Sequence, residues 1–118
     1  MMRLTEMVFP QGVPVDGYGP GFFRIGGVLY RGATLVLPGG AGPWAGLPDA
    51  APFLAAAAEI DVLFVGTGAE IARVPPAFRQ ALEAAGVGVE IMNSPAAART
   101  YNVCLAEGRR VAAALMPV

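Results

Sequence analysis

This chain has no histidine, no lysine and a single cysteine, Cys104, among its 118 residues. Without histidine and with one cysteine, a Cys/His zinc site cannot be assembled within the chain. A His-based triad and an internal disulfide are excluded for the same reason. The missing lysine removes P-loop and Schiff-base chemistry. All eight cations are arginines, set against nine acids for a net charge of −1, which leaves no electrostatic footprint for nucleic acid or an anionic membrane. Charge of either sign is scarce: 14% of residues carry it, against roughly a quarter in ordinary globular domains. Long apolar runs are missing too. No segment reaches the ~18 uncharged apolar residues of a membrane span, and Met1–Glu6 leads into no signal-peptide h-region. The expected location is the cytoplasm, and no cofactor or metal is expected.

What the chain does have is apolar mass, 55% of residues. Residues 1–118 are expected to form a single domain that buries roughly two-thirds of its unfolded surface without a staple. Two readings account for the low charge. Ala-rich helices raise the hydrophobic share without making a sticky patch. Alternatively, part of the surface is covered by a protein partner, a second copy included.

Along the chain, residues 1–15 read as a loosely patterned arm with a short strand around Met7–Phe9. Val15–Gly21 reads as a turn cluster. Phe22–Tyr30 and Gly32–Leu37 read as a hairpin turning at Arg31–Gly32, with Gly26–Gly27 as a bulge in its first strand. Pro38–Pro48 reads as a loop whose Trp44 either pins it to the body or belongs to a partner surface, and the Ala-rich Asp49–Glu59 stretch as a short helix. The apolar run Asp61–Gly66 predicts a strand buried on both faces. Pro75–Pro76 opens a helix that Gly86 closes, and Gly88–Met92 is a second buried strand. Ser94 and Pro95 start a helix as N-cap and first residue; it runs to about Glu107, where Gly108 ends it. Arg109–Met116 is the last strand. Strand–helix–strand order over short connections favours parallel pairing of the first two strands. The expected class is α/β, α+β-like: a small three-layer domain with a central mixed β-sheet, helices on one face and a β-hairpin layer.

Chemistry has two places to sit, both after strand ends, where open α/β sheets hold ligands. At Gly66-Thr67-Gly68, backbone N–H groups can approach an anion. The turn lacks the third glycine opening a helix that a dinucleotide fingerprint requires, and a tight strand-exit turn explains it equally. The second place is Ser94 with the polar run Arg99-Thr100-Tyr101-Asn102. Helical spacing puts Arg99 on a face with Val103, and Asn102 with Ala98 and, approximately, Leu105, so the four side chains do not converge. Arg99, near the helix start, opposes the helix dipole. It calls for an anion there, or for an ion pair with Asp61, Glu70 or Glu90. Tyr101 reads as a core residue with a bonded hydroxyl, Asp16 as an acceptor for amides of its own turn, and Cys104 as core filler. The candidate ligand set is Gly66, Thr67, Gly68, Ser94, Arg99 and Asn102; no catalytic residue stands out, because no carboxylate pair is suitably spaced.

The ordered segments Asp16-Gly17-Tyr18-Gly19, Gly21-Phe22-Phe23-Arg24-Ile25, Asp61-Val62-Leu63-Phe64-Val65-Gly66-Thr67-Gly68, Pro75-Pro76, Gly86-Val87-Gly88-Val89-Glu90, Ala97-Ala98-Arg99-Thr100-Tyr101-Asn102 and Glu107-Gly108-Arg109-Arg110-Val111 span nearly the whole chain. In this pattern the sequence resembles a family of archaeal and bacterial conserved proteins. That family also contains the animal adipogenesis-associated domain protein and the mitochondrial complex I assembly factor 3 proteins. The resemblance implies a three-layer fold with a mixed sheet and a hairpin layer. It brings no agreed active site, and its mitochondrial members imply assembly of the respiratory NADH:ubiquinone oxidoreductase through protein contacts. The chain departs from the family where many members carry Cys before Arg-Thr-Tyr or Arg-Thr-Phe. Ala98 stands there, so thiol chemistry at that position is absent. Two functional readings follow: a non-enzymatic assembly or interaction protein, and a small-anion binder or modest enzyme using a crevice between Gly66–Gly68 and the Arg99 helix start.

Overall fold

The computed structural model describes residues 12–118, so the short strand expected around Met7–Phe9 lies outside them. The first three strands, β1 (Val15–Gly19), β2 (Phe22–Ile25) and β3 (Val28–Arg31), form a small antiparallel sheet in that order. Its hairpin turns at Gly26–Gly27, where both residues have positive φ, 58° and 82°. Two left-handed residues in a two-residue loop match the right-handed twist of the flanking strands, and glycine adopts them without a Cβ penalty. The glycine pair read from sequence as a bulge is therefore the hairpin turn. The Arg31–Gly32 break is where the chain leaves this sheet.

The expected turn cluster at Val15–Gly21 is mostly strand β1. Gly17 and Gly19 lie within the strand, and a Cβ at Gly19 would collide with the Phe22 ring that lies over it. The register slips between Val15 and Gly17, which makes Asp16 the extra residue of a bulge. Its Oδ2 accepts from Gly27 N–H at 2.7 Å, so it serves the neighbouring turn rather than its own.

The second sheet has five strands in the order β5-β4-β8-β6-β7: β4 (Thr34–Leu37), β5 (Gly40–Pro43), β6 (Val62–Gly66), β7 (Gly88–Met92) and β8 (Val111–Leu115). Strands β6, β7 and β8 are parallel, and β4 runs antiparallel to β5 and β8. Gly40–Pro43 of the predicted Pro38–Pro48 loop is thus strand β5, an edge that pairs through backbone and needs few side chains. The Ala-rich last strand, β8, is the centre of the sheet and is buried along its whole length. The expected second buried strand, β7, is an edge with Glu90 exposed.

Alternation along the strands divides the core. Phe64, Val111, Ala113, Leu115 and Val36 face the small sheet and α3 (Ser94–Ala106), which contributes Ala97, Ala98, Tyr101, Cys104 and Leu105. Leu63, Val65, Ala112 and Ala114 face α1 (Ala51–Ala55) and α2 (Pro76–Ala84) through Phe53, Phe78 and Leu82. The mixed-sheet, layered class is as expected, but the helices are shared between the two faces because α3 packs beside the small sheet.

Trp44 holds the α1–α2 side. It is 5% exposed, its ring centroid lies 5.7 Å from that of Phe53 and 6.4 Å from that of Phe78, and its Nε1 donates to the Asp49 carbonyl at 2.9 Å. Glycines close the helices where the sequence places them: Gly86 and Gly108 have φ of 87° and 81°, the left-handed geometry of a helix C-terminus.

Candidate functional site

Strands β6 and β7 are parallel neighbours whose ends, Gly66 and Met92, stand opposite each other. The Gly66–Gly68 turn and the start of α3 therefore meet, as the crevice reading requires. What fills the meeting point is Ser94. A Cβ on Gly66 would lie 2.6 Å from the Ser94 Cα and 2.7 Å from its Oγ, so glycine at 66 is required by close approach. Ser94 is not the N-cap. That position belongs to Asn93, whose Oδ1 accepts from Ala96 N–H at 2.8 Å, while Ser94 is the first helical residue and fully buried. Its Oγ accepts from Gly68 N–H at 2.9 Å and donates to the Met116 carbonyl at 2.5 Å. Its own N–H donates to the Gly68 carbonyl at 2.7 Å.

Thr67 is engaged as well. Its N–H donates to the Met92 carbonyl at 3.0 Å, its hydroxyl donates to the Glu70 carbonyl at 2.8 Å, and Ala72 N–H donates to that hydroxyl at 2.9 Å. The amides of Thr67 and Gly68 are thus both bonded inside the protein. An anion held by them would have to displace these bonds, each worth about 1 kcal/mol net.

The polar run on α3 divides as helical spacing predicts. The Tyr101 side chain is fully buried and its hydroxyl donates to the Val13 carbonyl at 2.8 Å. Asn102 presents its amide to the β1 backbone: Val15 N–H donates to Oδ1 and Nδ2 donates to the Val15 carbonyl, both at 2.8 Å. The side chain acts as one residue of an extra strand on that edge. Thr100 Oγ1 contacts the Met92 sulfur at 3.6 Å. Arg99 is exposed. Its proposed ion-pair partners do not engage it: Asp61 is paired with Arg110 at 2.7 Å, and neither Glu70 nor Glu90 forms an ion pair with Arg99 among the described residues. Cys104 is buried in the α3 cluster, with Arg109 Nη1 3.3 Å from its sulfur.

Ser94, Tyr101 and Asn102 therefore join three structural parts, and the structure does not gather them with Arg99 around one point. The signal for this lay in the sequence. Asn102 shares a helix face with Ala98 and Leu105, and a polar side chain beside a buried stripe must find partners. Asn102→Ala leaves the Val15 N–H and carbonyl unpaired and is expected to cost about 2 kcal/mol. Arg99→Ala should stay within about 0.5 kcal/mol. Urea unfolding of the two variants side by side checks the contrast.

Burial pushes the Tyr101 hydroxyl well above the ordinary tyrosine range. The native state holds this group neutral while the unfolded chain ionises it near pH 10. Its contribution is fully present below about pH 10 and is lost as pH rises above that value. Tyr101→Phe should remove this component of alkaline destabilisation, as read from unfolding midpoints across that range. A variant as alkali-sensitive as the parent would contradict it.

Outside this region the described residues contain no helix long and apolar enough to cross a membrane. Comparison with known proteins adds the lineage. The chain is 50% identical over 117 residues to an uncharacterized protein of Rhodobacter capsulatus, covering 99% of this chain and 94% of that one. It is 32% identical to mouse NADH dehydrogenase [ubiquinone] 1 alpha subcomplex assembly factor 3, covering 98% of this chain but only 66% of the mouse protein. Among solved structures, one described as an outer membrane protein from Bartonella henselae superposes with a TM-score of 0.84 at 37% identity, covering 94% of this chain and 99% of that one. With residues 15–116 matching the model of the protein family of unknown function DUF498/DUF598, the chain belongs to that family.

Proposed function

We propose that this chain acts in the assembly of the respiratory NADH:ubiquinone oxidoreductase, working through protein contacts. One observation carries the reading: the alignment with the mouse assembly factor runs through 98% of this chain at 32% identity, so the shared part is the folded body. The geometry is compatible with it. Gly66, whose carbonyl accepts from Met116 N–H at 2.9 Å, and Thr67, Gly68, Ser94 and Asn102 are committed to internal bonds, and the exposed face of α3 offers Arg99 and Val103 for contact. The cytoplasmic placement expected from sequence belongs to the same reading. Affinity purification of the tagged chain from its native cell, at native expression and after crosslinking, tests it. Subunits of the oxidoreductase should be enriched over an untagged control, and their absence overturns the reading.

A further inference from the structure

The small sheet ends in an open strand. β3 pairs only with β2, in a register that matches Phe22 with Arg31, Phe23 with Tyr30, Arg24 with Leu29 and Ile25 with Val28. Gly32 N–H donates to the Gly21 carbonyl at 2.9 Å, which sets the alternation: Tyr30 and Val28 exchange bonds with β2, and Leu29 and Arg31 turn theirs outward. Among the described residues, nothing accepts from or donates to the Leu29 and Arg31 backbone on that side.

The same parity fixes the side chains. Phe23 and Ile25 point to the core, so their neighbours Phe22, Arg24, Leu29 and Arg31 occupy the opposite, outer face. Leu29 is 38% exposed and Val28, beside the turn on the inner side, 53%. Neither Arg24 nor Arg31 forms an ion pair among the described residues. Asp16, the acid on this sheet, has its carboxylate taken by Gly27 N–H.

Natural sheets cover or guard such an edge. The sister edge, β1, is closed by the Asn102 amide, and β5 is built of Gly, Ala, Gly and Pro. At β3 the exposed Leu29 instead has Arg24 of β2 across from it and Arg31 two positions along on the same face, and arginine with exposed apolar side chains is characteristic of recognition surfaces.

We infer that β3 is a docking edge for an extended, acidic segment of a protein partner, added antiparallel as a fourth strand. A carboxylate opposite Arg31 neutralises its guanidinium, and Arg24, one strand further in on the same face, adds to the positive field that favours an acid there. An apolar residue two positions later lies opposite Leu29, and the next covers Val28. Read in chain order, the segment is acid–x–apolar–apolar. This deepens the assembly reading and rests on it for the existence of a protein partner.

The test uses the full chain and a displayed library of short random peptides, followed by synthesis of the selected peptide. Selection should return acid–x–apolar–apolar. Arg31→Glu should weaken the peptide about tenfold or more, and exchanging the peptide acid for arginine should restore binding to that variant, which also shows that the variant is folded. Amide hydrogen exchange gives the second readout. In the free chain the Leu29 and Arg31 amides should exchange fast and those of Tyr30 and Val28 slowly, and the peptide should slow the first pair. The inference is overturned if Leu29 and Arg31 are already protected in the free chain, if selected peptides protect other residues, or if a second copy of the chain occupies the edge. Crosslinking separates the two failures. Recovery of oxidoreductase subunits unchanged by Arg31→Glu rejects the β3 edge and keeps the assembly reading, while peptide docking at β3 without any recovered subunit does the reverse.

Discussion

Trp44→Ala is expected to lower stability by about 3–5 kcal/mol, the usual cost of emptying a buried aromatic site. Trp44 is the hub of three rings: its neighbours Phe53 and Phe78 also contact each other, at 6.5 Å between centroids. All three belong to the cluster that seats α1 and α2 on the sheet. Removing the indole opens a cavity beside Phe53 of α1 and Phe78 of α2, and α1 is only five residues long. It also strips the Asp49 carbonyl of its partner. Because total stability is about 5–15 kcal/mol, the loss is a large share of the whole. Guanidinium unfolding should show a much lower midpoint with little change in slope. A loss under about 1 kcal/mol, the scale of a surface change, would mean that Trp44 is not the anchor.

Gly66→Ala is expected to cost about 3 kcal/mol, although it adds one methyl group. The new Cβ meets the Ser94 Cα, a backbone atom of a helix, at 2.6 Å, so no side-chain rotation relieves the clash. Overpacking alone costs about 1–3 kcal/mol. Moving Ser94 also disturbs its bonds to Gly68 N–H and the Met116 carbonyl, which tie the β6 exit, the α3 start and the β8 end together. Gly88→Ala is the matched comparison. Its Cβ would find its nearest neighbour at an ordinary 3.5 Å on the edge strand β7, and the change should stay within about 0.5 kcal/mol. Equal effects at the two positions would contradict a specific close approach at Gly66.

These residues also show what could be read in the chain before folding. Local chemistry was legible where it acts locally. Glycines at 86 and 108 end helices by taking left-handed dihedrals, and Pro76 and Pro95 mark helix starts, as the first residue of α2 and the second of α3. The β6–β7 parallel pair follows from short strand–helix–strand spacing. The hairpin was misplaced because Arg31–Gly32 and Gly26–Gly27 are both plausible turns by composition, and the choice depends on which strand stays in the small sheet. β8 hid its central place because alanine has weak strand preference, whereas here its small size suits a strand packed on both faces.

The candidate site was least legible for a similar reason. Its polar residues were visible as a group, but their partners lie far away in sequence, Val15 being 87 residues from Asn102 and Val13 being 88 from Tyr101. Helical periodicity could show that the four side chains diverge. It could not show that two of them hold the small sheet in place, and so present β3 outward.

The proposed role, construction of a respiratory complex by contact with other proteins, is read from the amount of fully assembled NADH:ubiquinone oxidoreductase. The complex is resolved on native gels and stained for NADH oxidation, in cells deleted for this chain and in the same cells complemented with it. Deletion should lower the assembled complex and leave subassemblies, with the wild-type chain restoring it. An unchanged level of assembled complex in the deletion strain would overturn the proposed assembly role.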